Sequence, residues 1–114
     1  MSYDESNIFA KILRGEVPCR KVAESPTALA FLDAYPKAKV HVLVIPKGPY
    51  VDFVSFHEQA PEKTILDFYQ LVRQVIDQLG LREKGFKLVT RSGVDGGQEV
   101  PHFHLHILGG QKLD

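Results

Sequence analysis

The segment from Pro61 to Leu79 carries apolar residues at positions 65, 68, 69, 72, 75, 76 and 79. That spacing predicts an α-helix with one apolar face. Pro61 suits the first helical position, and Gly80 the residue just past the end. Leu66 and Leu71 spread the apolar surface beyond one stripe, so the helix is expected to be covered on two sides. A helix of this kind needs a partner layer, and the rest of the chain reads mainly as strands.

Val22 to Glu24 and Thr27 to Leu32 read as two short strands, with Ser25-Pro26 as the turn between them. His41 to Ile45 is apolar and β-branched, and Pro46 and Gly48 close it. Gly85 to Thr90 and His102 to Leu108 supply two further strands, the last ended by Gly109-Gly110. Near the start, Asn7 is a good cap for a short amphipathic helix carrying Ile8, Phe9, Ile12 and Leu13, and Gly15 is a good stop. Residues 47 to 60 read as loop. The expectation is one α+β domain over residues 1–114, a mainly antiparallel five-stranded sheet with two helices.

Charge limits the partners. Lys and Arg number 14, and so do Asp and Glu, with no basic stripe. A nucleic-acid polymer is therefore not the expected partner, although one phosphate needs only a local site. The single cysteine, Cys19, cannot form an internal disulfide or a cysteine zinc cage. Asp4, Glu5, Lys11 and Arg14 interrupt any signal-peptide core, and no apolar run reaches membrane-spanning length. A cytoplasmic protein without a membrane partner is expected.

Three of the five histidines stand at 102, 104 and 106, separated by Phe103 and Leu105. In a strand, alternate side chains share a face. One face would then present imidazole three times, while Phe103, Leu105 and Ile107 face a core. Such a face could merely be polar, though strand faces rarely use His for that. It could bind zinc through its imidazoles. It could also do phosphoryl chemistry, because imidazole is nucleophilic and titrates near neutrality. The glycine loop that leads into the triplet, with Gly93, Gly96, Gly97 and Gln98, favours the last reading. Glycines let backbone N–H groups approach an anion. His41 opens another strand, and His57 lies in a polar segment without evident consequence.

The run Gly97-Gln98-Glu99-Val100-Pro101-His102-Phe103-His104-Leu105-His106-Ile107-Leu108 resembles the signature of the histidine-triad (HIT) family. The trailing Gly109-Gly110 resembles its Hint branch, the nucleoside phosphoramidases. Ile8-Phe9 with Lys11-Ile12, Phe31 with Asp33, His41 with Val44-Ile45-Pro46-Lys47, and Asp95-Gly96-Gly97-Gln98 extend the match. The resemblance implies that His104 is the nucleophile and forms a nucleotidyl-histidine. His106 would contact phosphoryl oxygens, and His102 and His41 would orient the site. Asp33 would accept from ribose hydroxyls, though it also reads as a turn carboxylate ahead of Pro36. Ile8, Phe9, Ile12, Phe31 and Leu43 would wall the base; by themselves they read as core. Arg91, Gly97, Gln98, Glu99 and Val100 would complete the nucleotide-binding site.

Two positions depart from many relatives. Arg91 stands where Asn is common, and Glu99 where Ser is common. Asn7 and Ala10 occupy places where some relatives carry structural zinc ligands, so neither metal nor cofactor is expected. The resemblance implies a homodimer with a sheet continued across its two-fold axis. It also implies an enzyme acting on purine nucleotide (AMP or GMP) conjugates, cleaving a P–N bond such as that of adenosine phosphoramidate. The alternatives are a dinucleoside polyphosphate hydrolase, a nucleotide-binding interaction module with little activity, and a histidine-metal protein.

Overall fold

A computed structural model describes residues 2–114. Its elements run α1 (Ile8–Leu13), β1 (Lys21–Glu24), β2 (Ala28–Leu32), β3 (Val40–Pro46), α2 (Phe53–Gln59), α3 (Glu62–Gln78), β4 (Lys87–Val89) and β5 (Leu105–Gly109). The strands form one antiparallel sheet in the order β1-β2-β3-β5-β4. β3 lies at the centre and is buried on both faces, which is why it reads as an unbroken apolar run.

The sheet carries a core on each side. Ala28, Ala30, Val42, Val44, Phe103 and Ile107 pack beneath α2 and α3, against Phe56, Phe68, Leu71 and Val75. The opposite face holds Leu29, Phe31, Leu43 and Ile45, and Phe9 of α1 covers them. Asn7 caps α1 by accepting from the Ala10 N–H at 2.9 Å. On α3, the Asp67 carboxylate accepts from the Ser25 and Thr27 hydroxyls and from the Thr27 N–H, tying the helix to the β1–β2 turn. Leaving such partly buried donors unpaired would cost about 1–3 kcal/mol each.

Three expectations need correction. The described residues hold three helices rather than two, because residues 53–59 form α2. Its signal was short: Asp52 and Ser55 make a reciprocal capping box. One turn later Phe56 enters the core, stacked on Phe103 at 4.9 Å. α3 begins at Glu62, with Pro61 as its N-cap. The last strand begins at Leu105 rather than His102. Pro101 has no N–H, the His102 N–H turns back to the Val100 carbonyl, and the Phe103 N–H goes to Tyr50. The sheet ladder is therefore lost ahead of residue 105, although the inward alternation of Phe103, Leu105 and Ile107 survives.

The broad apolar face of α3 is only partly used within the chain. Leu71 is buried, but Leu66 is 59% exposed. Phe86 and Leu88, at the β4 edge of the sheet, are also exposed. No described helix is long and apolar enough to cross a membrane.

Candidate active site

Register brings the histidines together. β3 and β5 pair antiparallel with Leu43 opposite His106 and His41 opposite Leu108, so His41 and His106 project from the same sheet face. His41 and His106 meet with Nε2 and Nδ1 2.9 Å apart. The His104 ring lies beside His106, centroids 5.1 Å apart, and edge-on to Phe9 at 5.0 Å.

The hydrogen-bond partners assign the tautomers. His104 Nδ1–H donates to the His102 carbonyl at 2.7 Å, so the lone pair of the neutral ring is on Nε2. His41 Nδ1 accepts from the Lys37 backbone N–H at 3.0 Å, so its proton is on Nε2. That proton is shared between His106 Nδ1 and, at 3.3 Å, Asp33 Oδ2. His106 consequently carries its own hydrogen on Nε2. One ring thus offers a nucleophilic nitrogen, and its neighbour offers an N–H donor.

Burial keeps these rings neutral. It lowers the His104 pKa, against the opposing bond to the His102 carbonyl. Burial, followed by the neighbouring His104 and His41, pushes His106 down to about 4. His41 is lowered by burial, which the charge of Asp33 opposes. A neutral imidazole at pH 7 keeps the lone pair that attack requires.

His102 departs from the expected triplet of presented imidazoles. Its ring is completely buried. Nε2–H donates to the Pro46 carbonyl at 2.8 Å, and Nδ1 accepts from the Tyr3 hydroxyl at 2.5 Å. Both nitrogens are occupied by protein, so two imidazoles of the triplet, not three, are available to a ligand. The Thr90 hydroxyl donates to the His104 carbonyl at 2.8 Å and pins the backbone there.

The glycine loop also differs from expectation. Gly97 N–H bonds the Val94 carbonyl and Gln98 N–H the Gly93 carbonyl. Gly93 N–H bonds Gln98 Oε1, and Gln98 Nε2 donates to the carbonyls of Val51 and Val100. Gly97 and Gln98 therefore brace the loop rather than offer these donors to an anion. Gly96 is required sterically, because a Cβ there would stand 2.3 Å from the Ser92 carbonyl oxygen. Glu99 and Arg91 are both exposed; the Glu99 charge slightly favours a charged His104, and the Arg91 charge slightly disfavours a charged His106.

Among the expected base-wall residues, Phe9, Phe31 and Leu43 are buried in one cluster, against which Ile12 and Val100 pack. Ile8 stands outside it and is exposed. Asp33 fills the turn role, accepting from the Tyr35 N–H through Oδ1, while Oδ2 faces His41. Asp33, His41 and His106 bring three ligand atoms within 4.8 Å of one another, but hydrogen bonds already join them through the shared His41 proton. His57 lies on α2, bonded to the Phe53 carbonyl and the Tyr69 hydroxyl, as a strut between helices. Tyr3, the Lys37 N–H, Thr90 and the Pro46 carbonyl carry no signal in the sequence, because each acts through a partner brought near only by folding.

The HIT domain family model matches residues 14–113. The chain belongs to the HIT family. An uncharacterised HIT-like protein of Azospirillum brasilense is 46% identical over 112 residues, covering 98% of this chain and 92% of its own. A purine nucleoside phosphoramidase of Escherichia coli is 39% identical over 112 residues, covering 96% of this chain and 91% of its own. The crystal structure of a HIT family hydrolase from Legionella pneumophila superposes with a TM-score of 0.88 at 34% identity, over 96% of both chains. The fold of this HIT domain agrees with the family assignment, and two of these three relatives are named as a phosphoramidase and a hydrolase.

Proposed function

We propose that the chain hydrolyses the P–N bond of purine nucleoside phosphoramidates through a covalent nucleotidyl-histidine on His104. The observation that carries this reading is the 2.7 Å bond from His104 Nδ1–H to the His102 carbonyl. It leaves the Nε2 lone pair for phosphorus. Nε2 forms the new P–N bond as the bond to the amine breaks, and the amine leaves with a proton from solvent. The His104 ring is then bonded at both nitrogens and positively charged, which makes it a good leaving group. Water attacks phosphorus, the Nε2–P bond breaks, and AMP and neutral His104 are released. His106 Nε2–H supports the developing phosphoryl charge. Phe9, Ile12, Phe31, Leu43 and Val100 provide the apolar side for the base, with Ile8 at its exposed edge. Asp33 keeps lone pairs for the ribose. Glu99 and Arg91 lie on the leaving-group side, and Gly97 and Gln98 shape the loop behind them. The reaction requires neither metal nor cofactor and suits a cytoplasmic enzyme.

Arg91 favours a second substrate. Its exposed guanidinium acts on His106 and makes no ion pair among the described residues. An anionic leaving group, as in an adenosine polyphosphate, would pair with it. Adenosine phosphoramidate and diadenosine polyphosphate, incubated side by side, are expected to be cleaved with the phosphoramidate preferred. In Arg91→Asn, efficiency on the polyphosphate should fall about tenfold relative to the phosphoramidate, the equivalent of one charge-assisted hydrogen bond. An unchanged ratio would remove Arg91 from the site. No cleavage of either compound by the wild-type protein would sink the catalytic reading and leave nucleotide binding alone.

The exposed Leu66, Phe86 and Leu88 further support a two-fold dimer joined through α3 and the β4 edge. Light scattering at micromolar concentration should give twice the 12.8 kDa chain mass. A monomer at that concentration would contradict it.

A further inference from the structure

We infer that Tyr3 is a positioning residue for the triad: its hydroxyl holds His102 in the place and tautomer from which the His102 carbonyl aims His104. The inference rests on the proposed role of His104 as nucleophile. Its basis is a chain of bonds in which each hydrogen has one direction. The Pro46 carbonyl can only accept, so His102 Nε2 carries the proton and Nδ1 must accept. The Tyr3 Oη–H supplies that donor at 2.5 Å, across ninety-nine residues of sequence. The same His102 then presents its backbone carbonyl to His104 Nδ1–H. Tyr3 thus acts on the attacking ring through a residue that itself touches no substrate.

The segment carrying Tyr3 is held for this role. Asn7 Oδ1 accepts the Ala10 N–H of α1, and its Nδ2 donates to the Asp4 carbonyl, so the Asn7 amide is fixed. The Ser6 N–H and hydroxyl both reach Asp4 Oδ1, and Arg14 bonds the Glu5 carbonyl. The Tyr3 ring meets the His102 ring edge-on, centroids 5.5 Å apart. Burial raises the phenol above its ordinary pKa, which the Asn7 amide partly offsets, so the group stays an O–H donor.

Without that hydroxyl, a fully buried nitrogen lone pair has no partner. The ring can recover only by turning or by moving its proton, and either change releases the Pro46 carbonyl. The His102 backbone is then held by its N–H bond to Val100 and by the Phe103 N–H bond to Tyr50, without the anchor its ring supplied. A small error in that carbonyl misdirects His104 at the moment of attack.

Tyr3→Phe, made in the full chain, removes one oxygen and keeps the ring. The expected result is a fall in kcat of about tenfold, with KM and AMP affinity within about twofold. Nitrogen-resolved NMR should show wild-type His102 protonated on Nε2 and bare on Nδ1. In the variant the His102 Nδ1 signal should move, and the His104 Nδ1–H should exchange faster with solvent. An unchanged kcat together with an unchanged His104 Nδ1–H signal would overturn the inference. So would a wild-type His102 carrying its proton on Nδ1, a measurement that needs no variant to fold. Failure of the wild-type protein to turn over any nucleotide would count against the proposed function instead, and the two NMR signals would still decide the role of Tyr3.

Discussion

His104→Ala is expected to lower turnover at least about a thousandfold, or about 4 kcal/mol of transition-state stabilisation. AMP affinity should change only a few fold. The reason is a division of labour within the site. The proposed nucleophilic nitrogen is His104 Nε2, whereas the apolar cluster around Phe9, Phe31 and Leu43 is built from α1, β2 and β3. Removing the imidazole leaves that cluster standing. His106 cannot replace it, because its Nδ1 is taken up by the His41 proton and its Nε2 carries hydrogen. Single-turnover kinetics and calorimetric binding of AMP would measure both halves. In the wild-type protein, mass spectrometry without acid should trap a nucleotidyl adduct on His104. Wild-type turnover by His104→Ala would discard the mechanism.

Folding stability should fall steeply as pH drops from about 6.5 toward 4. Burial pushes His102 from 6.5 down to about 4, and His106 equally far. In the unfolded chain these rings take up a proton below about 6.5, while in the native protein they refuse it until about 4. Between those values the unfolded state binds more protons, so acid favours unfolding; above 6.5 the effect vanishes. For His102, which is completely buried, the difference amounts to roughly 3 kcal/mol. His106 adds a smaller amount because water reaches part of it. Glu24, held down to about 2 by Lys47 and Lys21, acts in the same direction only below the ordinary carboxylate range. Urea unfolding at intervals between pH 7.5 and 4.5 would read the slope. A stability that stayed flat over that interval would mean that the rings are charged or exposed in the native protein.

What was legible in the sequence followed from periodicity. The period of the 61–79 segment identified α3, and its end at Gly80 is set by a glycine with positive φ. The continuous apolar run of β3 and the alternation of Phe103, Leu105 and Ile107 showed which side chains face the core. These features are local, because a helix or strand repeats its own geometry along the chain. α2 escaped notice because its seven residues are too few to show a period, and its cap is one short pair.

The chemistry of each histidine was decided by tertiary structure alone. Residue type placed imidazoles at 41, 102, 104 and 106, and the resemblance to the HIT family attached roles to them. Nothing in the sequence said that His102 would be sealed between Tyr3 and Pro46, or that Gln98 would spend its amide on Val51 and Val100. A neutral imidazole offers one donor and one acceptor, and which nitrogen carries the proton is set by the hydrogen bond the other makes. Those partners include a phenol ninety-nine residues away and a carbonyl fifty-six residues away. The sequence by itself determined which elements form and which residues carry imidazole. The tertiary structure decided which nitrogen holds the proton, because that is set by contacts between segments that have no fixed spacing in the chain.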